Sequence, residues 1–574
     1  MLIMKPGSPD LTKWVNILLG LLAVFLGALH TWAAVSNFSM NADGISYLDI
    51  GDAYWRGDWQ NAINPVWSPL YSWVLGAAMY VFRPSLRWEF PLVQVVNFLI
   101  YLWAFASFKI FWRQVWNYLQ TRPGSETGLP GWAFQALGSL LFIWTSLTLI
   151  EIWSVTPDML MAAIIYLAAA LTLRMRLEVQ SWSVYALLGL VLGLGYLSKT
   201  IMLPVALLFM GVGFLSAGGV RRLAPRAALS LVVFLAVAGP FIVLISRAKG
   251  YFTYGESGQI TYMRYMNGIP YPHWQGDPPG SGTPVHPSRK IFSIPAIYEF
   301  ASPIGGTYPI SYDPSYWYEG VQLHFDLRET VPAILKNGLV YFDLFLQELG
   351  PLVGISLLLY LLARRKRLPM IRQLRSWNLA ILALLVFGLY ALVYVEGRYI
   401  GVFIVILWAD LLMNLSLPEN EPNQRLLAAA GALMIACLFG NLVAFNLEGL
   451  GSLVTNPAQQ PKPNHTAPAP SWPGEVAEVL IRAGIEPGAA VGVIGYAFDS
   501  YWARLARVKI VAEMYEWEAE PFYLGDPAFQ TEVIQAFAST GACAIIAEHV
   551  PGYASLDGWR QVGKTNYYYY LLDQ

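Results

Sequence analysis

The sequence predicts a mainly α, polytopic membrane protein of about eleven transmembrane helices, followed by a small α/β soluble domain. Of the 574 residues, 56% are hydrophobic and only 13% are charged, whereas a soluble globular domain has roughly 25% charged residues. Long apolar segments recur through most of the chain. A polar, Pro-rich stretch separates them from a C-terminal tail whose pattern alternates between strand and helix.

The first predicted span is residues 14–35, an apolar stretch of about 33 Å as a helix. That length crosses the hydrocarbon core and exceeds the apolar region of a signal peptide. The other ten predicted spans are residues 90–112, 132–150, 157–174, 182–197, 200–217, 226–246, 349–363, 377–395, 399–415 and 425–447. A further apolar stretch, residues 65–82, is ambiguous between a span and a helix lying at the membrane surface.

The distribution of basic residues predicts the orientation, because cytoplasmic loops are enriched in Lys and Arg. If the N-terminus is cytoplasmic and residues 65–82 form a juxtamembrane or re-entrant helix, every strongly basic connection lies inside. These connections contain Arg113 with Arg122, Arg174 with Arg176, Arg221 and Arg222 with Arg226, and Arg364–Arg367 with Arg372 and Arg375. The acidic and aromatic turns and the C-terminal domain then lie outside, so a site built from them faces outward.

The predicted organisation has three parts. Residues 1–454 form the membrane domain, with outer loops at 36–89 and 248–347. Residues 455–473 form a Pro-rich linker, and residues 474–574 form the soluble α/β domain. The soluble domain lacks the G-x-G-x-x-G spacing of a dinucleotide site and is assigned no catalysis. The net charge of −1 argues against nucleic acid as a partner.

Several short motifs fall in the predicted outer segments in a fixed order. They are Ala42-Asp-Gly-Ile-Ser-Tyr47, Asn64-Pro-Val-Trp-Ser-Pro-Leu-Tyr71, Pro157-Asp158, Gly195-Tyr-Leu-Ser-Lys199 and Glu396-Gly-Arg-Tyr399. This order resembles the GT-C superfamily of polytopic glycosyltransferases, and most nearly its protein O-mannosyltransferase and aminoarabinose transferase branch. The resemblance covers residues 10 to about 450 and rests on the order and shared outward placement of the motifs.

The resemblance implies an inverting enzyme that moves a sugar from a polyprenyl-phosphate donor to an acceptor lipid, glycan or protein. The reaction would take place at the outer face of a bacterial plasma membrane. Such an enzyme must deprotonate the acceptor and stabilise the departing phosphate. Asp43 is the candidate base, and Asp158 is the candidate second catalytic carboxylate. Both begin predicted helices, so helix capping is the alternative interpretation of each.

Cationic residues near the same face are candidates for binding the donor phosphate. Arginine can engage phosphate oxygens with two hydrogen bonds, whereas lysine acts as a movable point charge. The candidates are Lys199, Arg398, Arg247 and Arg264, with Tyr47, Glu396 and Tyr399 as supporting residues. The alternatives are an Arg398–Glu396 ion pair, Lys199 reaching from a helix end to the interface, and interfacial anchoring by Arg247.

No cofactor is predicted as a requirement, and metal dependence is left open. The six histidines show no metal-ligand spacing, although two carboxylates and a phosphate could recruit a divalent cation. A transporter or flippase of lipid-linked glycans is the main rival function, and a receptor or scaffold presenting the soluble domain is another. Transporters usually carry ionisable groups at mid-membrane, and Asp410 is an exception among spans with few such groups.

Overall fold

A computed structural model describes residues 9–38, 40–120, 126–177, 181–217, 220–300, 305–363, 377–455, 472–554 and 556–572. The basic connection Arg364–Arg375 and most of the predicted linker 455–473 lie outside the described residues. The described part is mainly helical, with a mixed sheet near the C-terminus. This confirms the predicted fold class.

The first half of the chain contains helices α1 to α11. They are α1 (Pro9–Asn37), α2 (Ala42–Arg56), α3 (Trp59–Ala62), α4 (Pro69–Phe82), α5 (Leu86–Gln120), α6 (Gly131–Trp144), α7 (Asp158–Leu177), α8 (Trp182–Ser198), α9 (Met202–Ala217), α10 (Val220–Lys249) and α11 (Ser257–Tyr265). Helix α6 continues into one π-helical turn, Thr145–Leu149.

The second half contains the remaining helices and most of the strands. The helices are α12 (Pro309–Tyr312), α13 (Pro314–Trp317), α14 (Leu327–Phe342), α15 (Gly350–Leu362), α16 (Asn378–Ala391), α17 (Gly397–Asn414), α18 (Glu421–Thr455), α19 (Gly474–Arg482), α20 (Tyr501–Leu505), α21 (Glu520–Leu524) and α22 (Pro527–Ala538). The strands of the chain are β1 (Glu126–Thr127), β2 (Arg289–Phe292), β3 (Ile297–Glu299), β4 (Leu417–Pro418), β5 (Ala490–Gly495), β6 (Lys509–Tyr515), β7 (Ala544–Ala547), β8 (Arg560–Gln561) and β9 (Tyr568–Leu571).

The described helices make the chain an integral membrane protein, but they do not confirm eleven spans. Seven are long and apolar enough to cross a bilayer, or eight if the pair 327–348 and 350–362, bent by 80°, counts as one. Three other predicted spans correspond to the apolar helices α8, α9 and α16, which have 17 residues or fewer. At 1.5 Å per residue these are shorter than the roughly 30 Å hydrocarbon core.

The ambiguous stretch 65–82 forms the 14-residue helix α4, which packs directly against α2. Two glycines make this contact close. A Cβ on Gly51 would lie 2.7 Å from the Ser72 carbonyl oxygen, and a Cβ on Gly76 would lie 2.6 Å from the Gly51 carbonyl oxygen. Because only glycine permits such a backbone approach, α2 and α4 behave as one unit beside the membrane spans.

The C-terminal sheet has seven strands in the order β2-β3-β6-β5-β7-β9-β8. Its centre is parallel, with β5 between β6 and β7, and the residues of β5 to β7 are almost all buried. The predicted strands at 490–495, 508–512, 543–547 and 567–572 are confirmed by β5, β6, β7 and β9. The hairpin β2–β3 comes from the long outer segment and joins the sheet at β6, which the sequence did not indicate.

A buried carboxylate follows β7 and makes the stability of this domain depend on pH. Glu548 accepts hydrogen bonds from the Ser500 hydroxyl at 2.6 Å, the Trp502 indole at 2.7 Å and the Tyr496 backbone N–H at 3.0 Å. Burial nevertheless raises the pKa of Glu548 from 4.5 to about 7. The folded state therefore holds a proton that the unfolded state releases in this window, and stability falls as pH rises from 4.5 to about 7.

We expect this proton to contribute roughly 3 kcal/mol to the pH dependence of the domain's unfolding free energy. Thermal unfolding of the full chain, followed by tryptophan fluorescence across this pH range, measures the slope. Glu548→Gln is expected to flatten the slope because the amide cannot titrate. An equal slope in wild type and variant would contradict the assignment.

Candidate active site

A cavity of about 440 Å³ lies where α2, α7, α11 and α17 meet the turn after α8. All of the predicted site residues except Arg247 line it. They are Asp43, Tyr47, Asp158, Lys199, Arg264, Glu396, Arg398 and Tyr399. Five separate segments therefore bring their acidic and basic side chains to one place.

Asp43 lies in the first turn of α2, and the residue at the cap position is Asn41. The Asn41 side chain does not cap the helix but bonds across to Val155, accepting from its backbone N–H at 3.0 Å. Gly44 lies against Val155, where an added Cβ would approach the Val155 side chain to 2.7 Å. The absence of a side chain at Gly44 thus lets α2 approach the turn before α7, and Gly44 is not among the residues that line the cavity.

Asp158 begins α7, and its side chain is fully buried. Its Oδ1 accepts a hydrogen bond from Lys199 Nζ at 2.5 Å. Its Oδ2 has no hydrogen-bond donor among the described residues and lies 3.8 Å from Arg398 Nη1. A carboxylate buried at the end of a membrane helix requires such cationic neighbours to remain charged.

Arg398 is the residue that joins the acidic groups of the cavity. Its Nη1 lies 3.6 Å from Asp43 Oδ2, and its Nε lies 3.0 Å from Glu396 Oε1. The Tyr399 ring lies 3.9 Å from Lys199 Nζ and 5.1 Å from the Arg398 guanidinium carbon. Arg398 therefore forms the predicted ion pair with Glu396 and also lies at the predicted site.

The cavity shifts the acid–base properties of Asp43 and Lys199 in opposite directions. Although 36% of the Asp43 side chain is exposed to the cavity, the surrounding protein replaces bulk water. Burial raises the pKa of Asp43, and the positive charges of Arg398 and Lys199 oppose part of this effect. Burial lowers the pKa of Lys199, and Asp158 opposes part of that. The pKa of Asp43 is thus raised above, and that of Lys199 lowered below, its ordinary value.

The other predicted residues have different surroundings. Arg264 lies over the rings of Tyr271 at 4.8 Å and Tyr265 at 5.4 Å, so it lines the cavity while its charge faces aromatic rings. Tyr47 packs edge-on against Trp67 and Tyr71, and no hydrogen bond joins it to Asp43 in the described structure. Arg247 is exposed at the end of α10 and does not line the cavity, as expected if it anchors the helix at the interface.

Two tyrosines of the cavity were missed by sequence reasoning. Tyr394 stacks on Tyr265 with ring centroids 4.0 Å apart, and Tyr390 stacks on Tyr399 at 5.5 Å. Tyr394 precedes the motif at Glu396 by two residues, so the aromatic spacing around that motif was the available signal. Helix α11 thereby contacts the turn between α16 and α17.

Among the described residues, no group of three or more His, Cys, Asp or Glu side chains could hold a metal ion. The two cavity carboxylates do not fit a divalent cation either. The Arg398 guanidinium lies between them, and Lys199 already binds Asp158. A cation bridging the two carboxylates would have to displace both side chains against their charge.

Comparison with solved structures identifies the fold. ArnT from Cupriavidus metallidurans bound to undecaprenyl phosphate is similar over 97% of this chain and 98% of its own, with 13% identity and a TM-score of 0.51. Its apo structure is similar over 97% of each chain, with 13% identity and a TM-score of 0.52. An Archaeoglobus fulgidus oligosaccharyltransferase complex with Zn and sulfate matches 93% of this chain and 68% of its own at 13% identity, but with a TM-score of only 0.43.

No protein-family model and no curated protein matches the sequence. The whole described chain, including its C-terminal domain, thus shares the ArnT fold at a level of identity that sequence comparison does not detect. This places the chain in the GT-C fold that its motif order resembles.

Proposed function

We propose that this protein is a membrane glycosyltransferase that moves a sugar from a polyprenyl-phosphate donor to an acceptor, with inversion at the anomeric carbon. The convergence of Asp43, Asp158, Lys199 and Arg398 on one cavity carries the proposal. The shared fold supports it, because a solved protein with this fold holds undecaprenyl phosphate. The acceptor is a lipid head group, a glycan or a protein side chain.

Asp43 acts as the general base in the proposed reaction. It removes a proton from the acceptor nucleophile, which forms the new bond to the anomeric carbon. The bond between that carbon and the phosphate oxygen breaks, and polyprenyl phosphate leaves with the electron pair. A single displacement of this kind inverts the anomeric configuration. A group with a raised pKa suits the role, because a base works best when its pKa lies near the operating pH.

Arg398 and Lys199 stabilise the phosphate as negative charge develops on it. Arg398 offers a planar set of donors, and Lys199 adds a compact charge on the other side of Asp158. Asp158 keeps both cations in place and offsets their repulsion. The cations are fixed before the reaction begins, so little reorganisation is needed when the charge appears.

We further propose that the cavity opens at the outer face of a bacterial plasma membrane. With the N-terminus in the cytoplasm, the predicted basic connections lie inside, in keeping with the positive-inside tendency. The C-terminal domain and the cavity then share the extracytoplasmic side. Membrane lipids surround the spans, and the soluble domain is proposed to begin near residue 474.

Transport of a lipid-linked glycan is the rival function. Asp410, the acid noted near a span end in the sequence, is fully buried and accepts from the Ala380 backbone N–H at 2.8 Å and the Asn414 amide at 3.2 Å. Asp410 thus has a structural explanation in the packing of α16 against α17. Acidic and basic side chains from separate segments meet at the proposed cavity, which favours bond chemistry over passage.

Purified protein in nanodiscs, given radiolabelled polyprenyl-phosphate sugars and an acceptor mixture, tests the proposal. We expect release of free polyprenyl phosphate together with label on the acceptor. Sealed vesicles containing the protein and a fluorescent lipid-linked sugar provide the competing test. Movement across the bilayer without cleavage of the sugar–phosphate bond would replace the proposal with transport.

The pH dependence of transfer follows from the electrostatics of Asp43. The rate is expected to fall as pH drops through a pKa above the ordinary carboxyl range, because only the carboxylate can accept a proton. Glu396 raises the pKa of Asp43, so Glu396→Gln is expected to move this acid limb to lower pH. Profiles of kcat/KM against pH measure the shift.

Glu421→Gln is the matched control for that profile. Glu421 is an exposed carboxylate that pairs with Arg425 on the surface of α18. Its removal is expected to leave the acid limb in place. If Glu396→Gln leaves the acid limb at the same pH, the limb reports the titration of a group other than Asp43.

A further inference from the structure

A second charged cluster lies between α2 and the C-terminal domain, outside the proposed cavity. Arg504, on α20, is 1% exposed and contacts three carboxylates. Its Nη1 lies 2.5 Å from Asp49, its Nη2 lies 3.0 Å from Asp52, and its Nε lies 2.9 Å from Glu89. All three nitrogens of the Arg504 guanidinium thus bind carboxylates, and they join the soluble domain to α2 and α5 of the membrane domain.

Arg507 extends the same cluster toward solvent. It bonds Asp52 at 2.7 Å and Glu89 at 2.9 Å, and its side chain is 44% exposed. Burial alone would raise the pKa of Asp52, but Arg504 and Arg507 hold it below its usual range. Removing Arg504 would leave buried carboxylates with one half-exposed cation, which is an unfavourable arrangement.

The cluster matters because Asp49 and Asp52 lie on the same short helix as Asp43. Six residues separate Asp43 from Asp49, or about 9 Å along the helix axis. An isolated helix of this length is marginal in water, so tertiary contacts must hold it in place. The Thr307 backbone N–H adds to the hold by donating to Asp49 at 2.7 Å.

The other contacts of α2 hold its backbone but supply no cation to the carboxylates of its distal half among the described residues. Its first turn is tied to the turn before α7 through Asn41 and Val155, and Ser46 bonds Ser311 at 3.0 Å. Gly51 sets the spacing to α4, and the Trp55 indole donates to the Trp73 carbonyl of α4 at 3.3 Å. The carboxylates of α2 that face the soluble domain therefore find their cationic partners only in Arg504 and Arg507 among the described residues.

We propose that Arg504 is a positioning residue for glycosyl transfer, which the C-terminal domain supplies to orient α2 and its Asp43. The inference rests on the proposed function, in which Asp43 is the base. The C-terminal domain thereby acts on the reaction without contributing a group to the cavity. A misplacement of a reacting group by about 1 Å can cost about 100-fold in rate.

Arg504→Gln in the full-length protein tests the inference. We expect kcat for sugar transfer to fall about 10- to 100-fold, while the affinity for polyprenyl phosphate, bound at the separate cations, stays within about two-fold. Arg504→Lys keeps the positive charge but cannot contact all three carboxylates at once. It is expected to be faster than Arg504→Gln and slower than wild type. Asp49→Asn combined with Arg504→Gln is expected to be no slower than Arg504→Gln alone.

Val533→Ala is the matched control for domain stability. Val533 is fully buried in the C-terminal domain, in a hydrophobic cluster that is separate from the contacts with α2. The variant should loosen the domain while keeping the kcat of wild type. If Val533→Ala slows transfer as much as Arg504→Gln, the role of Arg504 is general stability and the proposal fails.

Hydrogen exchange of the α2 backbone amides gives a readout that needs no enzyme activity. We expect faster exchange across 49–56 in Arg504→Gln and unchanged exchange in Val533→Ala. Unchanged exchange in Arg504→Gln would overturn the positioning role even if transfer is observed. Absence of transfer by wild type with any donor would instead overturn the proposed function, and the exchange result would still stand.

Discussion

Replacing Asp43 with asparagine is expected to lower the rate of sugar transfer by about 100- to 10,000-fold, the usual contribution of a general base. Asparagine has nearly the same shape but cannot accept the acceptor's proton at neutral pH. Binding of polyprenyl phosphate should persist, because Lys199 and Arg398 remain. Single-turnover transfer and lipid binding, measured on the same preparation, separate the two effects.

Asp58→Asn is the control for this substitution. Asp58 is a carboxylate on the loop just after α2, where its side chain accepts from the Asn61 backbone N–H and caps α3. Asparagine caps helices about as well as aspartate, so the fold is preserved. Transfer by Asp58→Asn should match wild type. Full activity of Asp43→Asn would remove Asp43 from the base role.

Replacing Arg398 with glutamine is expected to lower the transfer rate by about 100- to 1,000-fold, as for the loss of one preorganised stabilising donor. It removes the one guanidinium that lies within 4 Å of both Asp43 and Asp158 among the described residues. Since Arg398 also lowers the pKa of Asp43, the acid limb of the pH profile should move to higher pH. Both effects are read from kcat/KM profiles of the wild type and the variant.

The two effects of Arg398→Gln distinguish it from a purely structural residue. Arg425→Gln removes an exposed arginine that pairs with Glu421, and such surface pairs contribute little to stability. This control should change neither the rate nor the acid limb. A loss of rate in Arg398→Gln without a shift of the limb would indicate phosphate binding without electrostatic contact to the base.

The main-chain architecture was largely accessible from the sequence. Apolar length predicted the long spans such as α1 and α18, because the bilayer sets a minimum length for a continuous helix. The count of eleven is not confirmed, because three of the predicted spans form helices of 17 residues or fewer. Helix α8 ends at Ser198, close to the predicted 197, but apolar composition does not signal the contact of the next residue, Lys199, with Asp158.

The site was accessible in part, for a different reason. The order of the short motifs singled out Asp43, Asp158, Lys199 and Arg398 one by one. Their mutual contacts could not be predicted, because Asp43 and Arg398 are 355 positions apart and meet only through the packing of α2 against the bundle. Arg247 shows the limit of the approach, since it ends a span like the others but lies outside the cavity.

Asp49 and Asp52 illustrate what only the tertiary structure decided. The sequence alone determined that this chain is a membrane protein and singled out its candidate carboxylates and cations, because hydropathy and charge are local properties. It offered no motif for Asp49 or Asp52, and it assigned the C-terminal domain no part in catalysis. Their partner, Arg504, lies more than 450 residues away. Long-range ion pairs of this kind arise from folding, since no local periodicity encodes them.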